Sequence, residues 1–521
     1  MNRTMKRIIS YMFTIGALFA LAGCGDSIVD LAPKDKFTTD VALSSLSGLE
    51  GSIYGVYQRG RDILQSNDIC MYRQCQTDLV KAGTNLSDQA TFRAIAMFDY
   101  QFNGSLKGVS DLWDTYYVGI NRANLVIEGV DNLQMEDTEA NRARRDRVLG
   151  EAYFFRAYYN HCLVTKWDNI VLVETASVDP NEKVKLVGAD VVYPVIISDL
   201  KKAIDLLPEA SAINSSGRVS KGVARFLLAK AYLDRSMWPE AAEMAKAVVD
   251  DPQYKLAPVD EIFSCAHQDN KDIVFAWQFT KNDLNTVQRV SQQWYPLYDR
   301  VDGVLRSFEQ GGRPWSRIVP SDYYWTLFDP ADKRLNAYHK RFWFFDSTDA
   351  TDKIPDGYQV GDTVTSVNIG SAGGFGMNAV IPTTNKFFED GSLGRNIGDA
   401  QGYRNISEFR VSEAYLMAAE AYWRAGQTEK GLPYINAIRQ RAGVADFTTI
   451  DQNIILDESA RELGHEASRW EMLKRMGVLV ERVRAHNPDG GANIQDYHVR
   501  WPIPRSFVDM TKVDQNEGYT E

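Results

Sequence analysis

The sequence predicts a mainly α protein: a tetratricopeptide-like helical scaffold into which a loop-rich lobe with short strands is inserted. Three observations lead there. Apolar residues recur at helical spacing over long stretches on both sides of the middle of the chain. Two of those stretches, Gly222 to Asp251 and Phe409 to Gly443, each read as a pair of Ala-rich helices around a short break. Between Lys281 and about Asn405 the helical period is lost, and Gly, Asp and aromatic residues take over.

Taken from the start, residues 1–23 read as a leader. Arg3, Lys6 and Arg7 precede the apolar run "IISYMFTIGALFALA", which is too short to remain as a spanning helix. "LAGC", Leu21 to Cys24, then sets small residues before a cysteine, the arrangement at which a bacterial lipoprotein is cleaved and acylated. Cys24 is the expected lipidation site, and acyl chains there give an anchor rather than a span. Residues 26–40 lack periodicity and suit a short tether.

Helical patterning begins at Val41. It is clearest in Leu112 to Val130, in Arg147 to Val164, and in Val192 to Pro208, where proline stops the pattern. In the first hairpin Ala229 and Tyr232 share a helix and Pro239 follows the break; in the second, Ala418, Ala421 and Tyr422 precede a turn at Gly426. Small residues let paired helices approach, and aromatic residues wedge into the next pair. The expected organisation is therefore a leader (1–23), an N-terminal helical region (24–280), a variable lobe (281–405) and a C-terminal helical region (406–521).

The chain carries 58 basic and 69 acidic residues, a formal net charge of −11, and removal of the leader makes the balance more negative. Without a clustered basic surface it is not built to track phosphates, so no nucleic-acid partner is expected. Beyond Cys24 the cysteines are Cys70, Cys75, Cys162 and Cys265. They are too scattered for a disulfide framework and form no CxxC pair for zinc. Cys70 and Cys75 are close enough in sequence to bridge, whereas Cys162 lies in an apolar pattern and reads as a small buried side chain.

One segment raises the question of catalysis. "RELGHEASRWEMLKRMG", Arg461 to Gly477, places His465 beside Glu466, but a zinc protease helix needs a second His four residues after the first, and Arg469 stands there. Leu456, Ala460, Leu463, Ala467 and Trp470 instead recur as one apolar stripe. Glu458 with Arg461, Glu466 with Arg469, and Glu471 with Arg475 have the spacing of ion pairs on a charged outer face. No phosphate loop of Walker type and no nucleophile elbow is present. No cofactor is expected. A pair of carboxylates for glycoside hydrolysis leaves no spacing signature, so that reading stays open.

The lobe is rich in rings that can stack on the apolar faces of sugars. The candidate ligand-binding residues are Trp315, Trp294, Tyr295, Tyr324, Trp325 and Tyr298, with Tyr323 and Trp343 nearby. Trp315 is the favoured one, because it follows "EQGGRP" in a polar, turn-prone setting.

Together these features resemble the SusD/RagB family of surface lipoproteins. "LDESARELGHEASRWEMLKRMG", Leu456 to Gly477, is similar to that family's Asp-Glu-x-x-Arg-Glu-Leu…Arg-Trp signature, and "WPIPRSFVD…DQNEGY", Trp501 to Tyr519, to its closing Pro-Ile-Pro…Gly-Tyr. Ala467, Met472 and Glu517 depart from the usual residues. "LAPKDKFTTD", "AYFFRAYY" and "GRVSKGVARFLLAKAYL" extend the resemblance into the N-terminal half. It implies a non-catalytic, structural role for the signature helix, an outer-membrane location facing the cell surface, and pairing with a SusC-like TonB-dependent transporter. The implied ligand is an oligosaccharide or polysaccharide; a peptide ligand on the same scaffold and a surface hydrolase are the alternatives.

Overall fold

The computed structural model describes residues 43–519 apart from 68, 86–89, 177–182, 214, 284–285, 350–352 and 467. The expected leader, Cys24, the tether and Ala467 lie outside the described residues. The N-terminal region consists of α1 (Leu46–Gln65), α2 (Ala90–Met97), α3 (Lys107–Asp131), α4 (Glu139–Trp167), α5 (Ala189–Leu206), α6 (Lys221–Asp234) and α7 (Trp238–Val249). Side-chain caps start several of them: Ser45 accepts from Gly48 N, Thr138 from Asn141 N and Ser220 from Val223 N.

Each long helix expected from periodicity is present, and α5 ends two residues before Pro208. From Phe154 to Trp167 every residue of α4 is buried, as required of a helix packed on several sides. Its close approach to α3 depends on Gly119, where a β-carbon would sit 2.5 Å from the Tyr159 ring. Cys162 is buried on this helix, and Cys70 and Cys75 are buried as well.

The two hairpins stack on each other although the lobe separates them in sequence. α11 (Val411–Arg424) packs against both α7 and its own partner α12 (Thr428–Ala442), and Ala229, Ala418 and Ala421 are fully buried. Gly426 makes the turn with φ +71°, which favours glycine. The lobe begins and ends at neighbouring strands: β2 (Ile273–Trp277) pairs antiparallel with β6 (Ile406–Arg410), with Trp277 opposite Ile406. Within it lie α8 (Ser291–Trp294), α9 (Asp322–Thr326) and α10 (Arg334–Ala337). Two further antiparallel pairs join β1 (Val80–Ala82) to β3 (Ile318–Pro320) and β4 (His339–Lys340) to β5 (Thr383–Thr384). The lobe has a small core of its own, in which Tyr298, Val301, Trp343, Phe345 and Val380 meet.

The C-terminal segment corrects the expected single amphipathic helix. α13 (Gln452–Leu463) stops at Gly464, His465 takes φ +71°, and α14 (Arg469–Arg475) sets off anew, followed by α15 (Leu479–His486) and α16 (Arg505–Thr511). A β-carbon at Gly464 would lie 2.6 Å from the Tyr324 ring, so the break is where the lobe presses on this segment. The expected charged outer face is interior: Glu458 and Glu462 have no exposed surface.

Of the three expected ion pairs, Glu458 with Arg461 forms, at 2.7 Å. Glu466 pairs instead with Arg410 and Lys386, both at 2.8 Å, Arg469 with Asp78 at 2.6 Å, and Arg475 with Glu420 at 2.7 Å. Helical spacing says which charges can meet along one continuous helix. The break at Gly464 takes Glu466 out of helical register with Arg469, and within α14 Arg475 finds a bidentate partner on a distant element instead of Glu471.

At the centre, Glu462 meets Arg410 at 3.0 Å, Arg334 at 3.2 Å and Arg441 at 2.6 Å, while Arg334 also meets Asp332 and Glu458. Burial by itself would raise the Glu462 carboxyl, yet Arg441, Arg410 and Arg334 hold it well below the usual carboxylate range. Glu462→Ala leaves three buried guanidiniums short of a counter-charge and is expected to lower stability by about 3–5 kcal/mol in urea unfolding. A loss under about 1 kcal/mol, the scale of an exposed pair, would show that the cluster contributes little.

Candidate functional site

The lobe does not present the expected platform of stacked rings. Trp294, Tyr295, Tyr298 and Tyr324 are all buried, with at most 1% of their surface exposed, which corrects their assignment as surface stacking residues. Each has a structural partner. Trp294 stacks on Phe387 and lies 4.7 Å from the His465 ring, Tyr295 donates to Asn385 Oδ1 at 2.9 Å, and Tyr298 donates to the Ser307 and Gly312 carbonyls. The Tyr324 hydroxyl bonds His339 Nε2 at 2.9 Å, and its ring is 4.3 Å from that of His465. Trp343 is buried in the lobe core, and Tyr323 stacks on His486 at 3.7 Å.

His465 explains much of this recruitment. Its left-handed backbone aims the imidazole out of the helix break into the lobe, where Trp294 and Tyr324 close around it and its Nε2 lies 3.3 Å from the Leu79 carbonyl. The imidazole is a buried peg between scaffold and lobe. Among the described residues no group of His, Cys, Asp or Glu is placed to hold a metal ion. Burial, with His339 and Lys386 adding to it, keeps His465 neutral; burial and Lys386 push His339 down to about 3.

Two candidates remain at the surface. Trp325 is half-buried, edge-on to Tyr324 and His339. Trp315 is half-buried where three chain segments meet: Arg317 N donates to the Gln293 carbonyl at 2.9 Å, Ser316 N to the Tyr295 carbonyl at 2.7 Å, and Asn85 N to the Ser316 carbonyl at 3.0 Å. The Arg317 guanidinium covers its ring at 3.7 Å, and Arg313 stands 5.9 Å from the ring centroid.

Behind the ring is a polar cluster that the sequence did not single out. Asn67 receives Arg317 Nη1 at 2.6 Å on its carbonyl, and the side chains of Gln292 and Gln293 reach the same residue at 3.5 Å. The Oε1 atoms of both glutamines are buried and lack a hydrogen-bond partner among the described residues. "SQQW" lies next to the aromatic residues in sequence, but nothing in its pattern shows that Asn67, far away in the chain, completes the cluster. Trp315 thus stands on a half-buried ledge, with the Arg317 and Arg313 guanidiniums at its ring and the buried amides behind Arg317. Two surface recesses, of about 270 and 470 Å³, are lined by other residues, among them Tyr254 and Asp269 in the first and Lys185 and Arg500 in the second.

Residues 33–233 match a family model described as starch-binding associating with outer membrane, and residues 278–519 match the model of the SusD family. A SusD-like protein of Bacteroides ovatus is 24% identical over 480 residues, covering 89% of this chain and 82% of that protein. Among solved structures, a laminarin-binding SusD-like protein superposes with a TM-score of 0.72 at 20% identity, covering 91% of this chain and 99% of the other. A surface glycan-binding protein A from Bacteroides uniformis gives 0.70 at 18% identity, covering 90% and 99%.

The peg predicts how the fold responds to acid. Folded-state values for His339 and His465 lie below that of a free imidazole, about 6.5. Their contribution is therefore complete above about pH 6.5 and is lost progressively as pH falls below it toward the folded-state values, beginning above the range where most carboxylates titrate. Urea midpoints are expected to drop between pH 7.5 and 5, and to drop less in His339→Gln. An equal drop in both proteins would place the acid sensitivity elsewhere.

Proposed function

This chain belongs to the SusD/RagB family, and on that premise we propose that it is a cell-surface binding protein, held at the outer membrane by lipid on Cys24, that takes oligosaccharide chains at the Trp315 ledge and passes them to a SusC-like TonB-dependent transporter. The observation that carries the reading is the setting of Trp315. It is a half-buried indole with the guanidiniums of Arg317 and Arg313 beside it and Asn67 next to Arg317. Indole faces stack on sugar rings, and amides answer hydroxyls.

Relatives of the same fold that are described as laminarin-binding and as surface glycan-binding support a carbohydrate ligand. The family model's own description, starch-binding with outer-membrane association, supports the location. We assign no bond-breaking chemistry to the ledge, because the groups around the ring are amides and guanidiniums rather than a facing pair of carboxylates. Trp325, the other half-buried candidate, sits over the Tyr324 and His339 cluster and is a secondary contact at most.

Two expectations test this function. Trp315→Ala is expected to keep its melting temperature within a few degrees and to weaken glycan retention about 30-fold, roughly 2 kcal/mol, as loss of a central binding ring does. Trp294→Ala, by contrast, removes a core ring and is expected to cost about 3–5 kcal/mol of stability. Full retention of a bound glycan by Trp315→Ala in affinity gels would move the site off the ledge. Separately, Cys24→Ala is expected to free the protein from the membrane fraction, and a mutant that stays in washed outer membranes would count against the lipid anchor.

A further inference from the structure

Next to Trp315 two guanidinium groups are gathered with no carboxylate bound to either. Arg395 is buried, with 4% of its surface exposed, and its Nε and Nη2 donate to the Asp399 carbonyl at 3.3 and 2.8 Å. Arg313 is half-buried, stands 5.9 Å from the Trp315 ring centroid, and donates through Nη1 to the Gly398 carbonyl at 3.2 Å. The two acceptors belong to consecutive residues, so one exposed turn draws both cations to the same side of the loop that carries Trp315. Gly312 lies at this junction: a β-carbon there would sit 3.6 Å from Arg395 Nη1, which places the unbonded end of that guanidinium against the Trp315 loop.

The cluster around Glu462 is built differently. Arg334, Arg410 and Arg441 each meet two or more carboxylates in the interior. Among the described residues neither Arg313 nor Arg395 forms an ion pair, even though Asp399 is at hand; the Asp399 carboxylate instead accepts from Asn396 N and Nδ2, both at 3.0 Å. Burial lowers Arg395 from the ordinary guanidinium range, with Glu389 opposing it from beyond ion-pair distance. Leaving two neighbouring cations uncompensated costs stability unless an anion completes them, and the planar fork of a guanidinium matches carboxylate and sulfate oxygens.

We infer that the chain bound on Trp315 carries an acidic substituent, the carboxylate of a uronic acid or a sulfate ester, and that this group lies between Arg313 and Arg395. The inference rests on the reading that Trp315 stacks on sugar. It names which sugars: acidic ones are selected over neutral ones of the same length, despite the negative charge of the chain as a whole.

Calorimetric titration of the purified protein with three oligosaccharides of equal length, a neutral glucan, an oligogalacturonate and a sulfated galactan, tests it. At least one acidic ligand is expected to bind about tenfold or more tightly than the neutral one, the return on a single charge-assisted contact, with the advantage shrinking as salt is raised. The uronate and sulfate arms show which anion fits. Arg313→Gln, at a half-buried position where folding is not at stake, is expected to erase the advantage by weakening the acidic ligand about tenfold more than the neutral one, and Arg395→Gln to do the same. If the neutral glucan binds as tightly as both acidic ligands, and Trp315→Ala abolishes all binding while Arg313→Gln changes none, the acidic preference is wrong and the ring site stands. If binding occurs but Trp315→Ala leaves it intact, the ring site itself is wrong, and this inference falls with it.

Discussion

The described fold depends on a buried carboxylate, Glu462, and the guanidiniums that surround it. Arg334 comes from the lobe, Arg410 from the strand that closes it, and Arg441 from the second helical hairpin, while Glu462 itself lies in the last turn of α13. No one of these elements can satisfy its charge alone. Each brings into the interior an ion whose desolvation is affordable only when the others are in place, so the cluster acts as a registration device for scaffold, lobe and C-terminal segment. Neighbouring groups extend it: Lys386 and Arg410 share Glu466, Arg441 and Arg410 share Asp272, and Arg439 and Arg461 share Glu458.

The same segment fixes the lobe by a second, apolar device. The helix break at Gly464 turns His465 outward into a cage of lobe rings, and those rings are thereby taken out of contact with solvent. A chain rich in aromatic residues therefore offers less stacking surface than its composition suggests. In the lobe the rings serve two ends: Trp294 and Tyr324 dock the lobe on the scaffold, and Tyr298 and Trp343 fill its own core. Trp315 differs because the chain around it is anchored by backbone hydrogen bonds from Ser316 and Arg317, which leaves the side chain without a packing duty of that kind.

Charge is distributed with the same economy. Around Glu462 the interior arginines are matched by carboxylates, but Arg313, Arg395 and Arg404 are held by carbonyl oxygens, which orient a guanidinium without neutralising it. The half-buried Trp315 indole and these oriented cations thus share one loop cluster on a rigid frame.

The helical frame was legible in the sequence because it is written locally. Periods of three to four apolar residues in 112–130, 147–164 and 192–208, the alanines of the two hairpins, and the glycine at 426 each act within a few residues of themselves, and the structure repeats them. The failed His-Glu-x-x-His pattern was legible for the same reason. What lay beyond the sequence was every feature set by partners far apart in the chain. Spacing along 458–475 named three ion pairs, yet only one formed, because Arg410, Lys386, Asp78 and Glu420 arrive from other elements and compete on geometry. Composition marked out a loop-rich lobe and its turn signals a ring, Trp315, that keeps some exposure, but neither could separate the other surface rings from core rings. Exposure is a property of what packs against a side chain, and Phe387, Asn385 and His465, which bury Trp294, Tyr295 and Tyr324, are distant from them in sequence and adjacent only once the tertiary structure brings the lobe down on the scaffold.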